Sequence, residues 1–178
     1  RARLPATDDL RQLILTCAAH LLVQTKRAKS LPAALKQTEA CLDSGAPRQK
    51  WDEMLAAQGA DLVAFNRKLA LDHTAPAVVE LKADHSGFVT RCDARIIGEV
   101  IRDLGGGRLT KDSTINFDVG VDQLAKPGEA VKTGATLVRI HAVDRNQAET
   151  ASARLSSAFA ISSKTAKLPA LIAEVITR

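Results

Sequence analysis

The sequence contains no tyrosine, a single tryptophan, one methionine and four phenylalanines, so aromatics make up only 3% of it. Stacking platforms for single-stranded nucleic acid need more than that. The formal charge of +5 is carried by dispersed basic residues rather than by a stripe, so nucleic acid is not an expected partner even at a pI near 9.3. The three cysteines, Cys17, Cys41 and Cys92, are odd in number and far apart, with no C-x-x-C pair of the kind that serves zinc or redox chemistry. Free thiols in a reducing cytoplasm are the expectation. No apolar run approaches the roughly 20 residues that span a bilayer, and Arg1-Ala-Arg-Leu4 has no signal-peptide core, so no membrane role is expected. The absence of an initiator methionine suggests a chain cut from something longer.

What is present is ordinary globular material. With 178 residues, 46% of them hydrophobic, the chain can bury a sizeable core. Thr7, followed by Asp8 and Asp9, is a good helix start. Leu10, Leu13, Ile14, Cys17, Ala18, Leu21 and Leu22 then recur at three- and four-residue spacing up to about Gln24. A second helix is expected from Ser30, with Pro32 in its first turn and Gly45 at its end. A third runs from Arg48 to Gln58, opened by Pro47 and closed by Gly59.

Near Leu71 the texture changes to short β-branched segments separated by glycine, proline and acidic turns. Strands are expected over 76–82, 87–91, 114–121 and 136–142, and a last one over 171–177. Helices are expected over 94–104 and 145–158. Pro127-Gly-Glu-Ala-Val-Lys-Thr-Gly134 reads as a hairpin with tight turns.

The local signals for chemistry all have plain structural readings. Gly105-Gly106-Gly107-Arg108 would let backbone N–H groups converge on an anion, but glycines after a helix ending at Leu104 are also what a cap and tight turn require, and that reading is preferred. Neither the G-x-x-x-x-G-K-[ST] nor the G-x-G-x-x-G nucleotide fingerprint is present. His20, His73, His85 and His141 have no metal-site spacing. A triad of Ser86, His85 and Asp93 would need geometry that sequence proximity does not supply, and there is no G-x-S-x-G elbow. Asp112, Asp118, Asp122 and Asp144 read as solvated turn acids. Lys26, Arg27 and Lys29 read as a solvated helix end.

Six motifs occur in order: Ser86-Gly-Phe-Val89, Asp93-Ala-Arg-Ile-Ile-Gly98, Leu104-Gly-Gly-Gly-Arg108, Val119-Gly-Val121, Lys126-Pro-Gly-Glu129 and Ile140-His-Ala142. Upstream lie Asp8-Asp-Leu10, the turn Ala28-Lys-Ser-Leu-Pro-Ala-Ala34, Trp51-Asp-Glu-Met54 and Gln58-Gly59. Each is weak alone. The ordered set resembles the C-terminal portion of the pyrimidine nucleoside phosphorylases, the group that includes thymidine phosphorylase.

The resemblance implies an α+β fold: a helical segment, residues 1–72, left from a central α/β domain, then a mixed, mainly antiparallel β domain with inserted helices over 73–178, of α/β-hammerhead type. It implies a parent pentosyltransferase that splits pyrimidine nucleosides with inorganic phosphate as co-substrate and no other cofactor. The parent is expected to be a cytoplasmic homodimer whose phosphate- and base-binding motifs lie in its N-terminal half. None of those motifs occurs here, so no catalytic, substrate-binding or metal residue is assigned, and the chain alone is expected to be inactive. Gly105, Gly106, Gly107 and Arg108 are the candidate loop for holding a closed form. Two alternatives stand beside this reading. AMP phosphorylase shares the C-terminal domain, and biotinyl or lipoyl carriers have similar hairpins, for which Lys82 would be the modified lysine.

Overall fold

The computed structural model describes residues 8–165 and 167–176. Two compact units divide the chain, one made by the helical segment up to Ala70 with the segment from Pro169, the other Leu71–Leu168.

The first unit holds α1 (Asp8–Gln24), α2 (Leu31–Asp43), α3 (Ala46–Ala57) and α4 (Leu62–Leu69). Thr7, the expected start of α1, lies outside the described residues. Ser30 caps α2, accepting from the Ala33 amide, and Pro32 sits in the first turn where its missing N–H costs nothing. Gly45, at φ 82°, ends α2 and opens α3 in the left-handed conformation that glycine reaches without strain. The fourth helix was not expected from the sequence. Its signal is Asp61, whose carboxylate accepts from the amides of Val63 and Ala64. Arg11 of α1 reaches Asp43 of α2 at 2.9 Å. The unit buries little of its own apolar surface: Ala19, Ala34 and Thr38 are its buried residues among those described, while Leu10, Ile14, Leu21, Trp51, Val63 and Leu69 are exposed.

The second unit holds β1 (Ala77–Lys82), β2 (Gly87–Cys92), α5 (Ala94–Ile101), a π-helical turn (Arg102–Gly106), β3 (Gly120–Asp122), β4 (Ala130–Val131), β5 (Thr136–Ala142), α6 (Arg145–Leu155), a 3₁₀ turn (Ser156–Ala158) and β6 (Phe159–Ser162). Its strands form two three-stranded sheets, ordered β1-β5-β3 and β4-β2-β6, with every pairing antiparallel. Helix α6 lies on β1 and β5 and touches α5. Ala148, Ala151 and Leu155 come to one face of α6 at helical spacing, and Ile97, Val100 and Leu104 do the same for α5 and the turn after it. Val89 from one sheet and Val138 and Ile140 from the other complete a single core.

Three sequence expectations change. The strand expected over 114–121 shortens to Gly120–Asp122, because the Asn116 side chain accepts from the Asp118 amide and bends the preceding backbone into a turn. The stretch from Pro127 to Gly134 is not a hairpin. Gly128 at φ 94° and Gly134 at φ 83° shape two separate turns, and the short β4 between them pairs with β2. The last strand is absent among the described residues: 169–176 forms no ladder, and Thr177 lies outside them. The helix expected over 94–104 widens at its end into the π turn, and the one over 145–158 finishes as the tighter 3₁₀ turn.

Candidate functional site

The glycine turn is built from its packing. Gly105 stands at φ 99°, breaking the helix, and its carbonyl accepts from the Asn116 amide at 2.9 Å. A side-chain carbon on Gly106 would come 3.0 Å from Ile101 Cγ2 and 3.1 Å from the Ile101 carbonyl oxygen. One on Gly107 would lie 3.2 Å from Arg102 Cα. All three glycines therefore have a steric reason, as the capping reading expected.

The base of the turn is tied to α6. Arg154 donates to Asp103 at 2.6 Å and Gln147 Nε2 to the Leu104 carbonyl at 3.3 Å. Arg154 first, and then Arg102, hold the Asp103 carboxyl below its ordinary range. The cavity beside these residues measures about 60 Å³, room for a water or two rather than a nucleoside. Beyond it Arg108 and residues 109–112 are exposed, and a turn closed by Thr110 and Ser113, whose hydroxyl accepts from the Thr110 amide at 2.9 Å, carries Lys111.

The imagined triad is not assembled. Asp93 caps α5, accepting from the amides of Arg95 and Ile96, Ser86 Oγ accepts from the Thr133 amide, and His85 meets Asp84 at 2.6 Å. Asp144 likewise caps α6 through the Gln147 amide. Lys82 lies at the end of β1, 3.3 Å from Glu80, and the link from Ala83 to Ser86 passes from one sheet to the other. It is not the tip of a hairpin, the position a carrier lysine needs.

Sequence reasoning missed the most organised polar cluster. Arg139 and His141 alternate with the buried Val138, Ile140 and Ala142 on β5, so they share the outer face of the sheet. Asp122 stands opposite Arg139 in the β3 pairing. Arg139 gives Asp122 two hydrogen bonds, Nε to Oδ1 at 2.8 Å and Nη2 to Oδ2 at 2.5 Å, and gives Asp72 a third, from Nη1 at 2.7 Å. His141 Nε2 adds a contact to Asp122 Oδ1 at 3.0 Å. The Arg139 fork holds the Asp122 carboxyl down to about 2, with His141 adding to the effect and partial burial opposing it. The same two aspartates push the Arg139 guanidinium further up. Asp122 is thus a paired strand residue and not a solvated turn acid. The available signal was the alternation Arg139-Ile140-His141 in a run otherwise apolar. Among the described residues no group of three or more His, Cys, Asp or Glu is placed to hold a metal ion.

Among the described residues, none of those singled out for chemistry meet as a nucleophile and base; the unit presents two sheets, a glycine turn packed against its own helix and an exposed basic loop. Residues 88–162 match the pyrimidine nucleoside phosphorylase C-terminal domain. Similarity continues over nearly the whole chain. It is 32% identical over 170 residues to the pyrimidine-nucleoside phosphorylase of Geobacillus stearothermophilus, covering 96% of this chain and 39% of that protein. To the thymidine phosphorylase of Agrobacterium fabrum it is 29% identical over 172 residues, covering 97% of this chain and 39% of that protein. To the pyrimidine-nucleoside phosphorylase of Staphylococcus haemolyticus it is 32% identical over 170 residues, covering 96% and 39%. The chain thus spans about two fifths of the length of these relatives.

Proposed function

We propose that this chain is the C-terminal portion of a phosphorylase that cleaves pyrimidine nucleosides reversibly. In that reaction a phosphate oxygen bonds to the anomeric carbon as the bond to the base nitrogen breaks, leaving free base and a pentose 1-phosphate. Negative charge develops on the departing base and positive charge on the sugar, so the site must place cationic and hydrogen-bonding groups around both. The observation that carries the reading is similarity to named phosphorylases that begins in the helical segment and runs through both sheets.

The chain's own share is structural. The groups that hold phosphate and base belong to the N-terminal half of the same enzyme, its principal partner, and inorganic phosphate is the co-substrate. Closure around substrates excludes water and completes such a site. The loop from Gly105 through Arg108 to Lys111 supports the closed form: a rigid glycine base holds an exposed, basic tip. The working enzyme is a cytoplasmic homodimer.

The test joins this chain to its upstream sequence and assays the whole protein with phosphate and thymidine, uridine or AMP. Release of thymine or uracil with phosphate consumed supports the reading. Release of adenine from AMP assigns the nucleotide reaction instead, and no phosphorolysis of any of the three overturns it.

A further inference from the structure

The polar cluster on the outer face of the β1-β5-β3 sheet does more than pair strands. Two of its contacts, and a third from the turn before β3, go to a short irregular segment that belongs to no strand, the residues just before β1. Asp72 accepts from Arg139 at 2.7 Å. Thr74 donates to Asp118. The His73 ring lies 6.0 Å from that of His141, centroid to centroid, and its Nδ1 is 3.1 Å from the Ala75 carbonyl oxygen. Ala75 itself is buried. Residues 71–75 are where the chain enters the sheet unit, and such a linking segment has no ladder to hold it.

The anchor on the sheet side is well made. The Arg139 side chain is 13% exposed and its three donating nitrogens are all used, two of them fixed by the Asp122 fork. A guanidinium locked in this way offers its remaining N–H in one direction only, and losing that partner leaves a largely desolvated donor unpaired. Glu80 faces Arg139 from β1 but pairs with Lys82, so it does not compete for the anchor.

We propose that residues 71–75 form a strap, fastened to the sheet by Arg139 through Asp72 and to the turn before β3 by Asp118 through Thr74, which fixes the point where the chain enters the sheet unit. This goes beyond the phosphorylase reading, and its test needs no activity. Limited thermolysin cleavage mapped by mass spectrometry, with hydrogen exchange followed on β1 and β5, is compared for the full chain, the Asp72→Asn/Thr74→Val double variant and Glu80→Gln as a control on the same face. Ala75 is buried, so cleavage before it needs the segment to lift, and the double variant speeds that cleavage by roughly five- to thirtyfold, the factor expected for two lost contacts of this kind. Amides of β1 and β5 keep their protection, and Glu80→Gln leaves the strap unchanged. Unaltered cleavage before Ala75 in the double variant would overturn the proposal. So would equal loosening of β1 and β5, because the contacts would then be holding the sheet and not the strap.

Discussion

Arg139 and Asp122 face one another across the β3–β5 pairing and meet through two parallel hydrogen bonds, so one cross-strand ion pair fixes the register of the short edge strand β3. A three-residue strand has few ladder bonds to specify its register, and a forked pair adds geometric selectivity that a lysine would not.

The Asp122 carboxyl sits at about 2 when folded against an ordinary value of 3.8. A depressed folded value stabilises the protein above the unfolded value and is lost as pH falls through the folded one. Asp122→Asn should therefore lower stability by about 1 kcal/mol at neutral pH, a figure reduced for the partial exposure of the carboxylate. The difference between the two proteins should narrow steadily below about pH 4. Urea unfolding at pH 7 and pH 3 checks this; a gap as wide at pH 3 as at pH 7 would mean that the carboxylate charge is not what matters.

Gly87, within the Ser86-Gly-Phe-Val89 motif, has no room for a side chain: a carbon there would lie 2.6 Å from the Ser162 carbonyl oxygen and 2.8 Å from Ile161 Cγ2. Gly87→Ala must push β6 away from β2 and should cost about 1–3 kcal/mol. Gly98, by contrast, is helical, with open space where a side chain would go. Gly98→Ala should stabilise by about 0.5–1 kcal/mol. Thermal unfolding of the two variants should shift in opposite directions.

Arg108 is exposed on the loop proposed to hold the closed enzyme. In the full-length protein Arg108→Ala should leave the melting temperature within error while lowering turnover roughly tenfold, about 1.4 kcal/mol of barrier. Unchanged steady-state kinetics would remove the loop from the mechanism.

Leu10, Ile14, Leu21 and Trp51 are exposed on a helical unit with little core of its own. Large apolar side chains left exposed in this number favour association. The chain on its own should sediment in part as oligomers and show no phosphorolysis, whereas the full-length protein should sediment as a defined species.

Burial, then the nearby Asp93 and Glu129, push the Cys92 thiol up, while Cys17 and Cys41 are exposed. Because the thiolate is the reacting form, limiting iodoacetamide at neutral pH should label Cys17 and Cys41 well before Cys92. Peptide mapping reads the order directly, and early labelling of Cys92 would show that β2 opens.

Where periodicity is strong, the sequence and the structure agree closely. Strand β5 occupies 136–142 as expected, since Val138, Ile140 and Ala142 leave one choice of inner face. Helices capped by Ser30 and Asp93 begin where those side chains can accept an amide. The departures have one local cause and one distant one. Asn116 replaces part of a strand with a turn, and β4 takes β2 as partner instead of folding back on itself. The Asp72, Asp122, Arg139 and His141 cluster was hidden for the second of these reasons: its members are close only after β1, β3 and β5 pair. The family resemblance, resting on ordered short motifs, needed none of these contacts.

The strand order has one further consequence. Strand β1 finds its partner in β5, and β2 finds its own in β6, so each sheet joins the beginning of its unit to the end. Pairings this distant in sequence make for slow folding. During synthesis the first sheet cannot close until Ala142, nor the second until Ser162, has left the ribosome, and a stop codon just before Phe159 would leave β2 paired with β4 on one side only. Proteins made that way should be cleared by the cell rather than accumulate.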